Sequence, residues 1–519
     1  MQRRARVSVS RVWRRGLLLG LALAGTVTLG SAGAAVPIPS ADPFFAVPPN
    51  IAGLPNGTIL ASRPVEAYSL GLPLPVNAWQ VKYKTLNNEG QPSADVTTVM
   101  VPTAAWTGPG PRPLVSYQVA EDGVGTKCAA SYALSAGLAA VDSVSEAQTY
   151  EVLLAVERGW AVAAPDYEGP DSQFLGARGE ADGVLDGIRA ALAFKPAGFS
   201  TRTPVAMWGY SGGALASSLA AQAQKTYAPS LNIVAIALGG EVANLYATFQ
   251  DFNTQYGSAA AGAVIVGIIG IDRSYPNANL EQYLNATGRQ AVASEQNACL
   301  TDGIIDHPFL NSNSYLQSPG DYELPSVISL LEGISPLGQP GEPTAPVYDY
   351  HAPDDEFAPI GPDDQLMARY CAAGVTVDHY VEPLGEHLSG EPLGDPGAFA
   401  YLSGRFAGDP APNTCPPTSA QTQPTTSTRA TRPRYSMTAS PRSAQAGRPI
   451  RFTFTAERRL NGHVQGIAGA SVQFDGHDTQ TGRSGHAVIT ATLPPTPRRQ
   501  TPRLIVSRRI VATATITVK

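Results

Sequence analysis

Five consecutive residues restrict this 519-residue chain more than any others: Gly209-Tyr210-Ser211-Gly212-Gly213. They separate the apolar run Val205-Ala-Met-Trp208 from the alanine-rich stretch Ala214 to Lys225. The first predicts a buried strand and the second a helix. A serine in the sharp turn between them has glycines on both sides because the turn leaves no room for side chains. The turn holds the serine hydroxyl above the end of a sheet, and the helix N-terminus behind it favours developing negative charge. Such a turn works only as the corner of a strand–turn–helix unit, so the surrounding chain has to supply the sheet.

The flanking sequence does so. Val81-Lys-Tyr-Lys-Thr85 alternates, and Ala94 to Pro102 is rich in β-branched residues; both predict strands, as does Leu114 to Val119. A helix is expected over 146–158, then the strand Trp160 to Asp166, a helix over 182–194, the strand before Ser211, and the strand Ile233 to Gly240. Strands that alternate with helices imply βαβ units, a mostly parallel sheet and an α/β class. Continuous apolar strands fit a sheet covered on both faces. Residues 36–80, rich in Pro and Gly, predict irregular structure. Residues 242–340 break the rhythm and predict an inserted helical cap. Its apolar run Ala259 to Ile271 is too short for a bilayer span. The rhythm returns with a strand at Ala345 to His351, a helix over 364–373, the strand Val375 to Val381 and a helix near 398–406. No internal repeat interrupts this order.

Both ends differ from the body. Arg3, Arg4, Arg6, Arg11, Arg14 and Arg15 precede the apolar stretch Gly16 to Gly30 and the small residues Ala32 to Ala35. Residues 1–35 therefore predict an export signal, removed to leave no membrane span. Export implies an oxidising compartment, where the four cysteines Cys128, Cys299, Cys371 and Cys415 can form two bridges in any of three pairings. Their spacing does not suggest zinc. Residues 416–435 form a Thr/Pro/Ser linker. Residues 436–519 alternate in short runs, such as Ile450-Arg-Phe-Thr-Phe-Thr455, and predict a small all-β, Ig-like sandwich. The overall net charge of −6 conceals a split. Residues 36–415 hold 15 basic and 39 acidic residues, whereas residues 416–519 hold 15 basic and 3 acidic ones. The body excludes a nucleic-acid role, and the tail suggests an anionic surface such as cell wall or acidic lipid.

A serine needs a base, and the base an acid to orient it. In a strand–Ser–helix sheet of this kind the chain order is Ser, acid, His. Of seven histidines, His351 ends a strand, His379 lies inside one, His307 falls in the cap, and His463, His477 and His486 belong to the tail. His387 sits in a loop after a late strand and is the candidate base. Asp354, Asp355 and Glu356 follow the preceding strand, and spacing does not choose among them. An oxyanion requires the backbone N–H of Gly212 and a second donor from the loop Val119 to Gly125. No cofactor or metal is required.

Several stretches together resemble the secretory lipase family of the Candida antarctica lipase A type. They are Ser116-Tyr-Gln-Val-Ala-Glu-Asp122, Ala164-Pro-Asp-Tyr-Glu-Gly-Pro170, Gly209-Tyr-Ser-Gly-Gly-Ala214, Gly239-Gly240, His351-Ala-Pro-Asp-Asp-Glu-Phe-Ala-Pro359 and Gly385-Glu-His-Leu388. The resemblance covers residues 40–415 and implies an α/β-hydrolase fold with a helical cap. The family pattern is Pro-Asp-Glu, two apolar residues and Pro; counting back from Pro359 gives Asp355 as the acid, with Asp354 where the family has proline. The resemblance thus implies a Ser211–His387–Asp355 triad and an oxyanion hole from Asp122 and Gly212. It also implies the disulfides Cys128–Cys299 and Cys371–Cys415. The expected activity is hydrolysis of lipid esters, with a short-chain esterase and a catalytically dead binding protein as rivals. The run Ala259 to Ile271 is the candidate lining of an acyl tunnel. The tail lies outside the family pattern.

Overall fold

Runs of Val, Ala and Ile with hardly a charge among them become the interior strands of a nine-stranded sheet. The computed structural model describes residues 36–140, 144–200, 202–252, 259–416, 434–445, 448–460, 463–466, 470–475, 477–481, 486–492, 499–500, 502–506, 509–514 and 516–518. The expected export signal and most of the expected linker lie outside these residues. The chain divides into two units at residues 417 and 418.

In the first unit the strands are β1 (Ile59–Val65), β2 (Val76–Leu86), β3 (Pro92–Pro102), β4 (Leu114–Gln118), β5 (Ala161–Pro165), β6 (Val205–Tyr210), β7 (Ile233–Gly239), β8 (Val347–His351) and β9 (Val377–Val381). Their order is β1-β2-β3-β5-β4-β6-β7-β8-β9. The first three and β5 pair antiparallel, and from β5 onward every neighbour is parallel. This is the α/β-hydrolase arrangement that the resemblance implied.

Strand periodicity feeds two cores. Along β6, Val205 and Met207 enter one, while Ala206, Trp208 and Tyr210 enter the other. Trp208 meets the rings of Tyr117 at 5.1 Å and Phe399 at 4.7 Å, and its Nε1 donates to Tyr350 Oη at 3.1 Å. Truncating it would cost about 3–5 kcal/mol. Between β7 and β8 the cap holds helices Leu245–Phe252, Ala263–Ser274, Ala286–Ser294, Leu300–Asp306 and Pro325–Ile334. Both disulfides have the implied pairing, Cys128–Cys299 and Cys371–Cys415. Among the described residues no helix is long and apolar enough to cross a membrane.

Two expectations need correction. Residues 36–80 are not all irregular, because β1 lies within them and pairs antiparallel with β2. The last helix starts at His387 rather than near 398, and it runs to Ala407 through Pro392 and Pro396. The prolines remove two backbone donors, but packing outweighs that loss. Gly390, Gly394 and Gly397 let the helix lie against Tyr210, Tyr350 and Tyr348; a β-carbon at 394 or 397 would come within 2.0 or 2.1 Å of a tyrosine ring or hydroxyl.

The second unit is all-β. One sheet joins Arg434–Ser440, Pro449–Leu460, His463–Gly466 and His486–Thr492, and another joins Ser471–Phe474, His477–Gln480, Arg503–Val506 and Arg509–Thr513. Phe452, Phe454 and Ile489 from the first sheet share a core with Val472, Phe474 and Leu504 from the second, which makes a sandwich.

Candidate active site

Ser211 ends β6 and starts the helix Gly212–Tyr227, with φ 56° and ψ −123°. A non-glycine residue held there stores roughly 1–3 kcal/mol of strain. Backbone bonds fix the turn: Ser211 N–H donates to Gly239 O at 2.9 Å, and Leu215 N–H donates to Ser211 O at 3.0 Å. A β-carbon on Gly209 would lie 2.3 Å from the backbone of Gly213, and one on Gly212 would lie 1.8 Å from Asp122 Oδ1. The glycines are therefore steric requirements of the turn.

The helix His387–Ala407 begins with a capping box in which Glu386 accepts from Ser389 N–H. His387, its first residue, is buried, and its ring is pinned on several sides. Phe357 stacks on it at 4.8 Å, and Tyr210 Oη donates to its carbonyl at 2.6 Å. Its Nε2 lies 2.8 Å from Ser211 Oγ, and its Nδ1 lies 2.8 Å from Asp355 Oδ2. Asp355 Oδ1 accepts the N–H groups of Phe357 at 2.9 Å and Ala358 at 2.6 Å. The three acids left open by spacing thus separate. Asp355 reaches His387, Glu356 accepts the backbone N–H of His387 at 3.3 Å, and Asp354 faces solvent.

Asp122 has φ 39° and faces Gly212 across the serine. Its carbonyl accepts Leu300 N–H at 2.7 Å, Val124 N–H donates to Ala298 O at 2.8 Å, and the bridge Cys128–Cys299 joins the same two segments. Among the described residues neither the Asp122 nor the Gly212 N–H has a protein acceptor, so both are available to a ligand. Burial pushes the Asp122 carboxyl up to about 6, with the nearby His387 opposing the shift.

The serine opens into a largely apolar pocket. Asp122, Ser211 and Gly212 line one end; Phe174, Leu215, Phe249, Phe252 and Leu331 line the rest. Ala263, Val264, Gly267, Ile268 and Ile271 recur on one face of their helix and complete the wall, so the expected tunnel lining does border the site.

The model of a family described as secretory lipases matches residues 136–414. The chain belongs to the secretory lipase family. A probable inactive lipase of Mycobacterium tuberculosis is 37% identical over 378 residues, spanning 72% of this chain and 83% of that protein. Lipase 4 of Candida albicans is 34% identical over 392 residues, spanning 73% and 83%. Among solved structures, Candida antarctica lipase A aligns with a TM-score of 0.67 and 29% identity over 74% of this chain and 89% of its own. The secretory lipase match ends at residue 414, ahead of the β-sandwich.

This member of the secretory lipase family also gathers acids that the sequence did not single out. Asp349, Asp363 and His379 place ligand-type atoms within 4.8 Å of one another. His379 answers these charges: its Nδ1 lies 2.5 Å from Asp349 and its Nε2 3.1 Å from Asp364. His351 lies between Asp355 and Asp363. From sequence it was only the end of a strand. The signal lay in the spacing, since an acid four residues on can fold back over a histidine at the mouth of a strand.

Proposed function

We propose that this chain is a secreted serine hydrolase that cleaves carboxylic esters of lipids through an acyl-enzyme. One observation carries the proposal: an unbroken hydrogen-bonded series from Ser211 Oγ through His387 to Asp355, with Ser211 lining a largely apolar pocket. Ser211 Oγ attacks the ester carbonyl as His387 Nε2 takes its proton. Asp355 orients the ring and offsets the imidazolium charge. The N–H groups of Asp122 and Gly212 bind the tetrahedral oxyanion. His387 then returns the proton to the leaving alcohol. Water, activated by the same imidazole, releases the fatty acid. The apolar wall favours acyl chains over peptides. Secretion is supported by the leader-like first 35 residues, the two disulfides and the family's description.

A second reading comes from the mycobacterial relative, whose name marks it as probably inactive. A chain of that kind would bind lipid without turning it over. Hydrolysis of p-nitrophenyl esters of increasing chain length, with Ser211→Ala beside the natural chain, separates the readings. Serine-dependent turnover that favours long chains supports the lipase. A short-chain optimum makes it an esterase. No serine-dependent turnover on any ester moves the binding reading forward. The basic tail supports attachment to an anionic surface. Equal sedimentation of the full chain with anionic and neutral vesicles at low salt would remove that idea.

A further inference from the structure

His351 closes β8 and is fully enclosed. Its Nε2 lies 2.7 Å from Ala358 O and 3.5 Å from Asp355 Oδ2. Its Nδ1 lies 3.3 Å from Asp363 Oδ2, on the helix Ile360–Ala372. A carbonyl only accepts, so Nε2 carries a hydrogen. Nδ1 and the Asp363 carboxylate stand at ion-pair distance without the alignment of a hydrogen bond, so attraction between opposite charges, rather than a shared proton, favours a charged ring there. The other charged groups turned toward this ring are Asp349 on its own strand and Glu241 after β7. Burial works against a charged imidazole, but Asp363, Asp349 and Asp355 override it and raise His351 to about 10.

Asp355 has no water to soften its charge, because its side chain is fully buried. One oxygen is held by two backbone N–H groups and the other by His387. A cationic ring 3.5 Å from the oxygen that His387 holds offsets that charge without competing for the His387 bond, since the Nε2 hydrogen is already committed to Ala358. Farther out, Asp349 meets His379, and His379 meets Asp364 at the surface.

We propose that His351 is a positioning residue of the Ser211 site, a doubly protonated imidazole anchored by Asp363 that holds Asp355 against His387. This inference rests on the triad reading above. The series outward from the serine is then Ser211, His387, Asp355, His351 and Asp363, with acids and imidazoles in alternation.

The test uses the full chain with ¹⁵N-labelled histidine, and the resonances of His351 are identified by their loss in His351→Gln. Both nitrogens should carry protons between about pH 5 and 8. A bare nitrogen in that interval overturns the proposal. In ester hydrolysis, His351→Gln should lower kcat about 10–100-fold with KM within about twofold, the pattern of lost alignment rather than lost binding. Asp363→Asn should act in the same direction. The double variant His351→Gln/Asp363→Asn replaces the ion pair by two amides, so it should regain thermal stability but not kcat. A wild-type kcat in a folded His351→Gln, or recovery of kcat in the double variant, refutes the positioning role. Ser211→Ala run beside them separates the two ideas. If that variant still turns over substrate, the triad reading itself has failed and the role of His351 falls with it.

Discussion

Replacing Gly212 by alanine would set a β-carbon 1.8 Å from Asp122 Oδ1 and 2.7 Å from its Cγ. Comfortable contact begins at about 3.5 Å, so the carboxyl would have to withdraw by well over an ångström. Spinning the carboxyl does not suffice, because Cγ itself is too close. One escape swings the side chain into the cavity, where it obstructs the acyl chain. The other moves the Asp122 backbone, which is tied by its carbonyl to Leu300 N–H at 2.7 Å and already sits at positive φ. The first obstructs the substrate, and the second spoils the pair of N–H donors. Losing one such donor lowers kcat by about 10²–10³, or about 2.7–4 kcal/mol. By the second route KM should change little, because the donors matter most once the oxyanion forms, whereas the first route should raise KM. The assay is initial rates on a soluble p-nitrophenyl ester over a range of concentrations, with circular dichroism and Tm on the same sample. A folded Gly212→Ala with kcat within about threefold of the natural chain would refute the assignment of this hole.

Three further outcomes follow from the same geometry. Burial raises the carboxyls of Glu180 to about 8 and of Asp166, Asp182 and Asp395 to about 7. The folded state then holds protons that the unfolded chain has released above about pH 4, so Tm should be highest near that pH and fall towards pH 8; a Tm that rises over this interval contradicts it. Cys371→Ala/Cys415→Ala opens a bridge spanning 44 residues and should cost about 4 kcal/mol with kcat retained, whereas Cys128→Ala/Cys299→Ala should lower stability and kcat together, because it frees the Asp122 loop. Leu384 and Leu388 are 75% and 70% exposed on either side of His387. Serine at both should reduce hydrolysis of emulsified ester more than of dissolved ester, and equal effects on the two would show that neither leucine meets lipid.

The elbow was legible because its demands are local: glycines at 209 and 212 are forced by atoms within the turn or facing it. The parallel core was legible for a similar reason, since a strand covered on both faces has to be apolar along its length. The acid was less so. Asp354, Asp355 and Glu356 share one loop, and what separates them is the pair of N–H bonds from Phe357 and Ala358 that aims Asp355 at His387. The helix His387–Ala407 was hidden by its own prolines and glycines, which oppose helix in isolation and serve it only where tyrosines of the sheet lie beneath. His351 was hidden because its partners, Asp355 and Asp363, meet it only when the loop after β8 folds back.

The seam between the Asp122 loop and segment 298–300 restricts how the cap can move against the sheet. Two backbone bonds and a disulfide hold it. On the reading proposed above, a cap lifting as one rigid lid would pull Asp122 with it and separate the two oxyanion donors. A substrate path that opens through parts of the cap remote from Cys299 would leave that pair intact, with the seam as a fixed hinge post.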